Sequence, residues 1–374
     1  MLAFDSSRYF RKLPIAGAKG WGDYASQSSV YHAYQVVHAN GIPDENIIVF
    51  HPDDIAYNPN NPVPGTIIDR PNGTDVYHGV PKDYVGKEVN PNTFLEVLRG
   101  SEKLATNGKK VLNSGPDDHV FIYFLDHGAP DVILFQSEYL YAEELNTALK
   151  DMHRDQRYGK LVFYLEACES GSMFDKLLPN NINIYAISSS KPTQNSGKMF
   201  DDKKYKTMIG YNKKSNKIQT DPDIDMLKDW DVVDNREAPV YVLRNLIENS
   251  DDLVEKQKYT EELETILKGR EYVDNVFNEY VNSIQHLMPN IATNAILHTK
   301  QELNNRHCYR QLVDTFHQNC FNLNQNPYVL SKLQIFVNIC EQMLDSSDAD
   351  IAVNRLIQHC DRNGYKNDQQ VEPG

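Results

Sequence analysis

The sequence predicts an α/β fold with a mainly parallel sheet, followed by a separate all-α domain stapled by disulfides. Three observations predict it. Short apolar runs alternate with amphipathic segments up to about residue 210, and apolar residues recur three and four apart from about Val240 onward. Four of the five cysteines, Cys308, Cys320, Cys340 and Cys360, fall in the last quarter of the chain.

Taken in order, NIIVF (46–50), HVFIYFLDHG (119–128), KLVFYLEACESGS (160–172) and NINIYAISSS (181–190) read as strands of a buried sheet. Between them, SSVYHAYQVVHANG (28–41) has helical spacing and stops at Gly41, and AEELNTALKDMHRD (142–155) is an amphipathic helix. Residues 52–84, rich in Pro, Asn, Gly and Asp, form a long surface loop region, where Asn72-Gly73-Thr74 is an N-glycosylation acceptor if the chain is secreted. After Tyr211 the sequence is polar, charged and without sustained periodicity, as a linker or exposed processing segment is. VYVLRNLIEN, TEELETILKGREYVDNVFNEYVNSIQHL, CYRQLVDTFHQNC and KLQIFVNICEQML then read as helices. The expected limits are 1–210 for the α/β domain, 211–239 for the linker and 240–374 for the helical domain.

A chain of 374 residues, 40% hydrophobic, is long enough for two cores. Its formal net charge of −14, from 52 acidic and 38 basic residues, argues against nucleic acid or an anionic membrane as partner. No stretch approaches a membrane span, and MLAFDSSRYFRK lacks the apolar run of a signal peptide. The even cysteine cluster nevertheless implies two disulfides, in any of three pairings, and an oxidising secretory or endolysosomal route. These readings conflict, and a truncated or mis-started N-terminus reconciles them. The cysteines lack the CxxC pairs of structural zinc sites, and no metal or organic cofactor is implied.

The fifth cysteine carries the chemistry. Asp126-His127-Gly128 follows the strand VFIYFL, and Glu166-Ala167-Cys168-Glu169-Ser170-Gly171-Ser172 follows LVFYL, with one helix between. A strand-helix-strand crossover brings His127 and Cys168 to neighbouring loops at the sheet edge where α/β folds place their sites. A thiolate is a nucleophile, and an adjacent imidazole can generate it and protonate a departing amine. Gly128 lets a substrate carbonyl approach the backbone, whose N–H groups can stabilise an oxyanion. A lone Cys or His is more often a core residue, but placement at successive strand ends singles these two out. Glu166 and Glu169 read either as solvated charges or, for a glutamate at a strand end, as a pocket residue; spacing does not choose.

YFLDHG followed by YLEACESGSM, together with HAYQVVHANGIPDENIIVFHPDDIAYNPNNPVPG and RPNGTDVYHGVPKDYVGKEV, resembles the legumain family, the asparaginyl endopeptidases of the caspase-like clan. That resemblance runs from about Ile15 to about Ser190. HCYRQLVDTFHQNCFN, FVNICEQM and the last HC resemble the family's helical pro-domain. The resemblance implies a caspase-like sheet sandwiched by helices, with Cys168 as nucleophile and His127 as general acid/base. It also implies an oxyanion hole from the Gly128 and Cys168 backbone N–H groups, and cleavage of protein substrates after asparagine. It pairs Cys308 with Cys340 and Cys320 with Cys360. It makes the chain a zymogen of a lysosomal, vacuolar or secretory route. The pro-domain is then an intramolecular inhibitor that covers the cleft at neutral pH and leaves in acid, with a cut near Asn235.

The chain also departs from the family pattern. Asp23 stands where the family has the asparagine that orients the histidine, and Ala25 and Ser26 replace an arginine and a histidine. Tyr211 replaces the acidic pocket residue, the segment after it is short, and Glu166 and Ser196 remain as pocket candidates. Losing polar partners for an amide side chain erodes discrimination. The leading expectation is a peptidase zymogen. The alternatives are an impaired or altered-specificity relative that binds without cleaving, and a cytosolic α/β domain joined to a helical interaction module with four free thiols.

Overall fold

The computed structural model describes residues 10–70, 73–200, 208–210, 231–343 and 345–363. The chain divides into two compact units, Met1–Asn235 and Arg236–Gly374.

The first unit runs β1 (Phe10–Ala16), α1 (Tyr24–Ala39), β2 (Phe50–His51), β3 (Tyr84–Val85), α2 (Pro91–Leu98), α3 (Glu102–Thr106) and β4 (His119–Leu125). It continues with β5 (Gly128–Ala129), β6 (Val132–Leu134), β7 (Tyr139–Tyr141), α4 (Ala142–Arg154), β8 (Lys160–Glu166) and β9 (Ile184–Ser188). Last come β10 (Gly197–Phe200), β11 (Met208–Gly210) and β12 (Asp231–Asp234). Six strands form one sheet in the order β3-β2-β1-β4-β8-β9, and every pairing in it is parallel. The small sheets β5-β6-β7 and β11-β10-β12 are antiparallel.

Alternation decides which side chains make the main core. On β4, Val120, Ile122 and Phe124 pack with Leu13 and Ile15 of β1 and with Leu161, Phe163 and Leu165 of β8. From α4, Leu145, Ala148, Leu149 and Met152 close over them, at the three- and four-residue spacing that faces one side of a helix. The opposite sheet face is less covered, with Tyr164 and Tyr185 exposed, so these apolar runs are not buried on both sides throughout. β2 contracts to two residues, joined upstream to β1 only by the isolated bridge Lys12↔Ile47.

The register brings three strand ends level, Ala16 beside Leu125 and Leu125 beside Glu166. Backbone bonds continue the ladder one step further, from Gly17 N–H to Leu125 C=O (3.1 Å) and from Asp126 N–H to Glu166 C=O (3.1 Å). The loops that follow β1, β4 and β8 therefore leave the sheet together.

The second unit is helical: α5 (Ala238–Asn249), α6 (Leu253–Ile284), α7 (Thr293–His298), α8 (Arg306–Asn319), α9 (Pro327–Leu330), α10 (Leu333–Gln342) and α11 (Ser346–Asn363). The C-terminal half of α6 buries Val273, Phe277, Tyr280 and Ile284, and Phe277 meets Phe316 of α8 and Phe336 of α10 at ring distances of 5.0 and 5.4 Å. Disulfides join Cys308 to Cys340 and Cys320 to Cys360, the pairing that the family resemblance implies. Among the described residues no helix is long and apolar enough to cross a membrane.

Candidate active site

The loop after β1 places a carboxylate against the histidine. A 3-10 turn, Trp21–Asp23, leads straight into α1, so Asp23 occupies the N-cap position of that helix. Its side chain does not cap. It turns instead to His127, with Oδ1 2.9 Å from Nε2, and both side chains are about one-fifth exposed, at 21% and 19%. The helix N-terminus favours a negative charge at this position, which keeps Asp23 a good acceptor for the imidazole.

Asp126, immediately before His127, is a different kind of carboxyl. Its Oδ1 accepts the His127 backbone N–H, while Oδ2 is buried with no hydrogen-bond partner. Burial, reinforced by the neighbouring Asp23 charge, raises this carboxyl well above the ordinary range. Burial thus disfavours charge on the carboxyl that meets the His127 backbone, while Asp23 is the carboxyl that faces the imidazole.

Cys168 follows β8 and is 1% exposed. Serines fix its loop. Ser189 Oγ accepts from Ala167 N–H (3.1 Å), Ser190 Oγ donates to Ala167 C=O (2.9 Å), and Ser170 N–H donates to Ser190 Oγ (3.0 Å). Ser172 Oγ donates to Glu169 C=O (2.6 Å) and accepts from Asp131 N–H (2.7 Å), which fastens the loop to the β5–β6 turn. Glu169 adopts a left-handed conformation (φ 50°) and donates its N–H to Gln194 C=O (2.8 Å). The Cys168 amide, between these engaged neighbours, donates to no acceptor among the described residues.

Gly128 explains how the two loops meet. A Cβ added there would lie 2.4 Å from the Cys168 carbonyl oxygen and 2.9 Å from Ala167 Cβ, so the backbone following His127 rests directly on the backbone of Cys168.

Of the pocket candidates, Ser196 is brought to the cysteine. Ser196 Oγ lies 3.5 Å from Cys168 Sγ. Glu166 ends β8 and accepts a hydrogen bond from the Tyr123 hydroxyl, and burial pushes its carboxyl up to about 7. Ala25 and Ser26 are buried in the first turn of α1. Asn72 and Tyr211 lie outside the described residues. Among the described residues no group of three His, Cys, Asp or Glu side chains could hold a metal ion.

One approach has no precursor in the sequence pattern. β10 pairs antiparallel with β12, with Gly197 opposite Asp234, and the ladder continues through Asn235 N–H to Ser196 C=O (3.0 Å). This delivers Asn235 to the sulfur, its Nδ2 4.0 Å from Cys168 Sγ. The serines at 189 and 190 were equally unmarked, since a run of three serines after a strand signals only a turn.

Comparisons with known proteins place the chain in a family. Residues 12–234 match the Peptidase C13 family, and residues 261–357 match the legumain prodomain family. Human legumain is 34% identical over 384 residues, an alignment spanning 88% of this chain and 88% of that protein. A vacuolar-processing enzyme of Vicia sativa is 47% identical over 210 residues, 52% of this chain and 43% of its own length. One from Citrus sinensis is 50% identical over 184 residues, covering 49% and 37% respectively.

Proposed function

Because the chain belongs to the peptidase C13 family, with a legumain prodomain behind the peptidase unit, we propose that it is an asparaginyl endopeptidase made as a zymogen, in which Cys168 is the nucleophile. The observation that carries this reading is the meeting of four chain segments around one cysteine. Asp23 bonds His127, Gly128 rests on Cys168, and Asn235 covers the sulfur.

The chemistry follows from those positions. The Cys168 thiolate attacks the scissile carbonyl carbon, and the carbonyl oxygen takes the negative charge. The N–H groups of Gly128 and Cys168 receive that oxygen; the unengaged Cys168 amide supports this role. His127, held by Asp23, gives its proton to the departing amine, which leaves the acyl group as a thioester on Cys168. The imidazole then takes a proton from water, whose oxygen attacks the thioester and releases the carboxylic acid and the thiol. Glu166 and Ser196 supply an acceptor and a hydroxyl for an asparagine side chain.

The peptidase part is taken as 1–210, the linker as 211–239 and the pro-domain as 240–374. Asn235 is the last residue of the first compact unit, so a cut after it would separate the two. In this reading the pro-domain inhibits the peptidase until acid releases it, and the setting is the lysosome or vacuole. A second reading, altered specificity, is favoured by Ala25 and Ser26, two small side chains buried in α1.

Hydrolysis of a fluorogenic Ala-Ala-Asn peptide after mild acid treatment, beside an Ala-Ala-Ala control, tests the proposal. Turnover after Asn that disappears in Cys168→Ala is the expected result. Turnover of both peptides would support altered specificity. No turnover by a folded, disulfide-bonded preparation would refute the peptidase reading.

A further inference from the structure

We propose that Asp54 is a positioning residue for the reaction, acting through Asp23. This rests on the reading of His127 as the general acid/base. Asp54 lies just beyond β2, and each carboxylate oxygen grips one side of the turn that carries Asp23. Oδ2 accepts the Gly20 N–H (2.8 Å), and Oδ1 accepts Gln27 Nε2 (2.6 Å) from the first turn of α1. Asp23 sits between the two gripped residues, and its own carboxylate reaches His127 at 2.9 Å.

The grip is built in on both sides. Gly20 has φ 91°, a conformation that a residue with a side chain rarely adopts. Behind Gln27, Tyr31 OH donates to Gln27 Oε1 (3.0 Å) and lies 2.9 Å from His51 Nδ1. Donor order along this chain is forced from the Asp54 end. A carboxylate only accepts, so Gln27 must present its amide NH2 to it and its oxygen to Tyr31. Tyr31 then spends its one hydrogen on Gln27, and His51 must donate from Nδ1. His51 is fully buried, and burial lowers its proton affinity, which suits a neutral imidazole donating from one nitrogen. The chain therefore runs one way, from the buried end of β2 to the turn at the active site, and Asp54 is the group that orients it.

Removing Asp54 frees the Gly20–Asp23 turn and loosens the Asp23 contact with His127, a misplacement that costs turnover more than binding. An asparagine at position 54 can still accept from Gly20. The chain behind it can then reverse, with the new side-chain amide donating to Gln27, Gln27 to Tyr31 and Tyr31 to His51, because each of those three has both a donor and an acceptor. The substitutions Asp54→Ala and Asp54→Asn should therefore separate.

The test is steady-state cleavage of the Asn peptide by the acid-treated full chain, run as a double-mutant cycle with Asp23→Ala. Asp54→Ala should lose roughly 10- to 100-fold in kcat with KM within about twofold, and Asp54→Asn should recover most of that loss. The double variant Asp23→Ala/Asp54→Ala should be no slower than Asp23→Ala alone. Multiplicative effects, an unchanged kcat in Asp54→Ala, or a loss wholly in KM would overturn the proposal while leaving the peptidase reading intact. Should Asp54→Ala not fold, Asp54→Ser, which keeps an acceptor for Gly20, carries the same cycle. Absence of Cys168-dependent turnover in the unsubstituted chain would remove both.

Discussion

Replacing Glu166 by Gln should alter how the stability of the peptidase unit depends on pH. Glu166 closes β8 beside the Cys168 loop, and burial raises its carboxyl from 4.5 to about 7. The folded state therefore binds this proton more tightly than the unfolded state does. Its stabilising contribution is complete below about pH 4.5 and is lost as pH rises through about 7. At roughly 1.4 kcal/mol per pKa unit, the full effect is about 3 kcal/mol. Gln keeps an oxygen for the Tyr123 hydroxyl and carries no proton to lose. Glu166→Gln should match the unsubstituted chain near pH 4 and exceed it by about 2–3 kcal/mol near pH 8. Trp21 belongs to the first unit and residues 236–374 contain no tryptophan, so urea unfolding followed by tryptophan fluorescence does not report on the helical unit. Asp126, raised by burial in the same direction, adds an acid preference common to both proteins. Parallel pH profiles for the two proteins would show that Glu166 is solvated and would refute the reasoning. A peptidase unit that gains stability in acid suits the proposed lysosomal or vacuolar setting.

Gly128→Ala forces a Cβ to within 2.4 Å of the Cys168 carbonyl oxygen, so kcat should fall by about 100-fold or more, with melting curves showing a destabilisation of roughly 1–3 kcal/mol. Replacing Cys320 and Cys360 by Ser opens a loop of 40 residues and should cost the helical unit about 4 kcal/mol in chemical denaturation followed by circular dichroism. Asn235→Ala should block the acid-induced cut at the end of the first unit, read by mass spectrometry, with peptide cleavage after acid treatment reduced in parallel; an unchanged cut would place the processing site elsewhere.

How far the residue pattern reached differs by element. β4, β8 and β9 announce themselves as apolar runs, and α4 by its four-residue period. β1 was less visible because FRKLPIA carries Arg11, Lys12 and Pro14, which read against a strand until Leu13 and Ile15 are seen on the core face. β10, β11 and β12 are short and their neighbourhood polar, so their pairing owes nothing to amphipathic spacing. α1 begins at Tyr24, four residues before the apolar spacing that marks it, because the 3-10 turn at Asp23 feeds directly into it.

Local residue pattern was enough to show which residues could do chemistry and where each would leave the sheet. Cys168 and His127 end apolar strands, and strand length and side-chain period are set by neighbours a few residues away. Tertiary structure alone decided which distant groups meet. Asp23 reaches His127 across 104 residues, and Asn235 reaches Cys168 across 67. Such meetings depend on the sheet order β1-β4-β8 and on the β10–β12 pairing. The same holds for Asp54. Its carboxylate looks like any other acidic loop residue until folding sets both of its oxygens against the turn at Asp23, because hydrogen-bond partners are chosen by distance in space while periodicity is written along the chain.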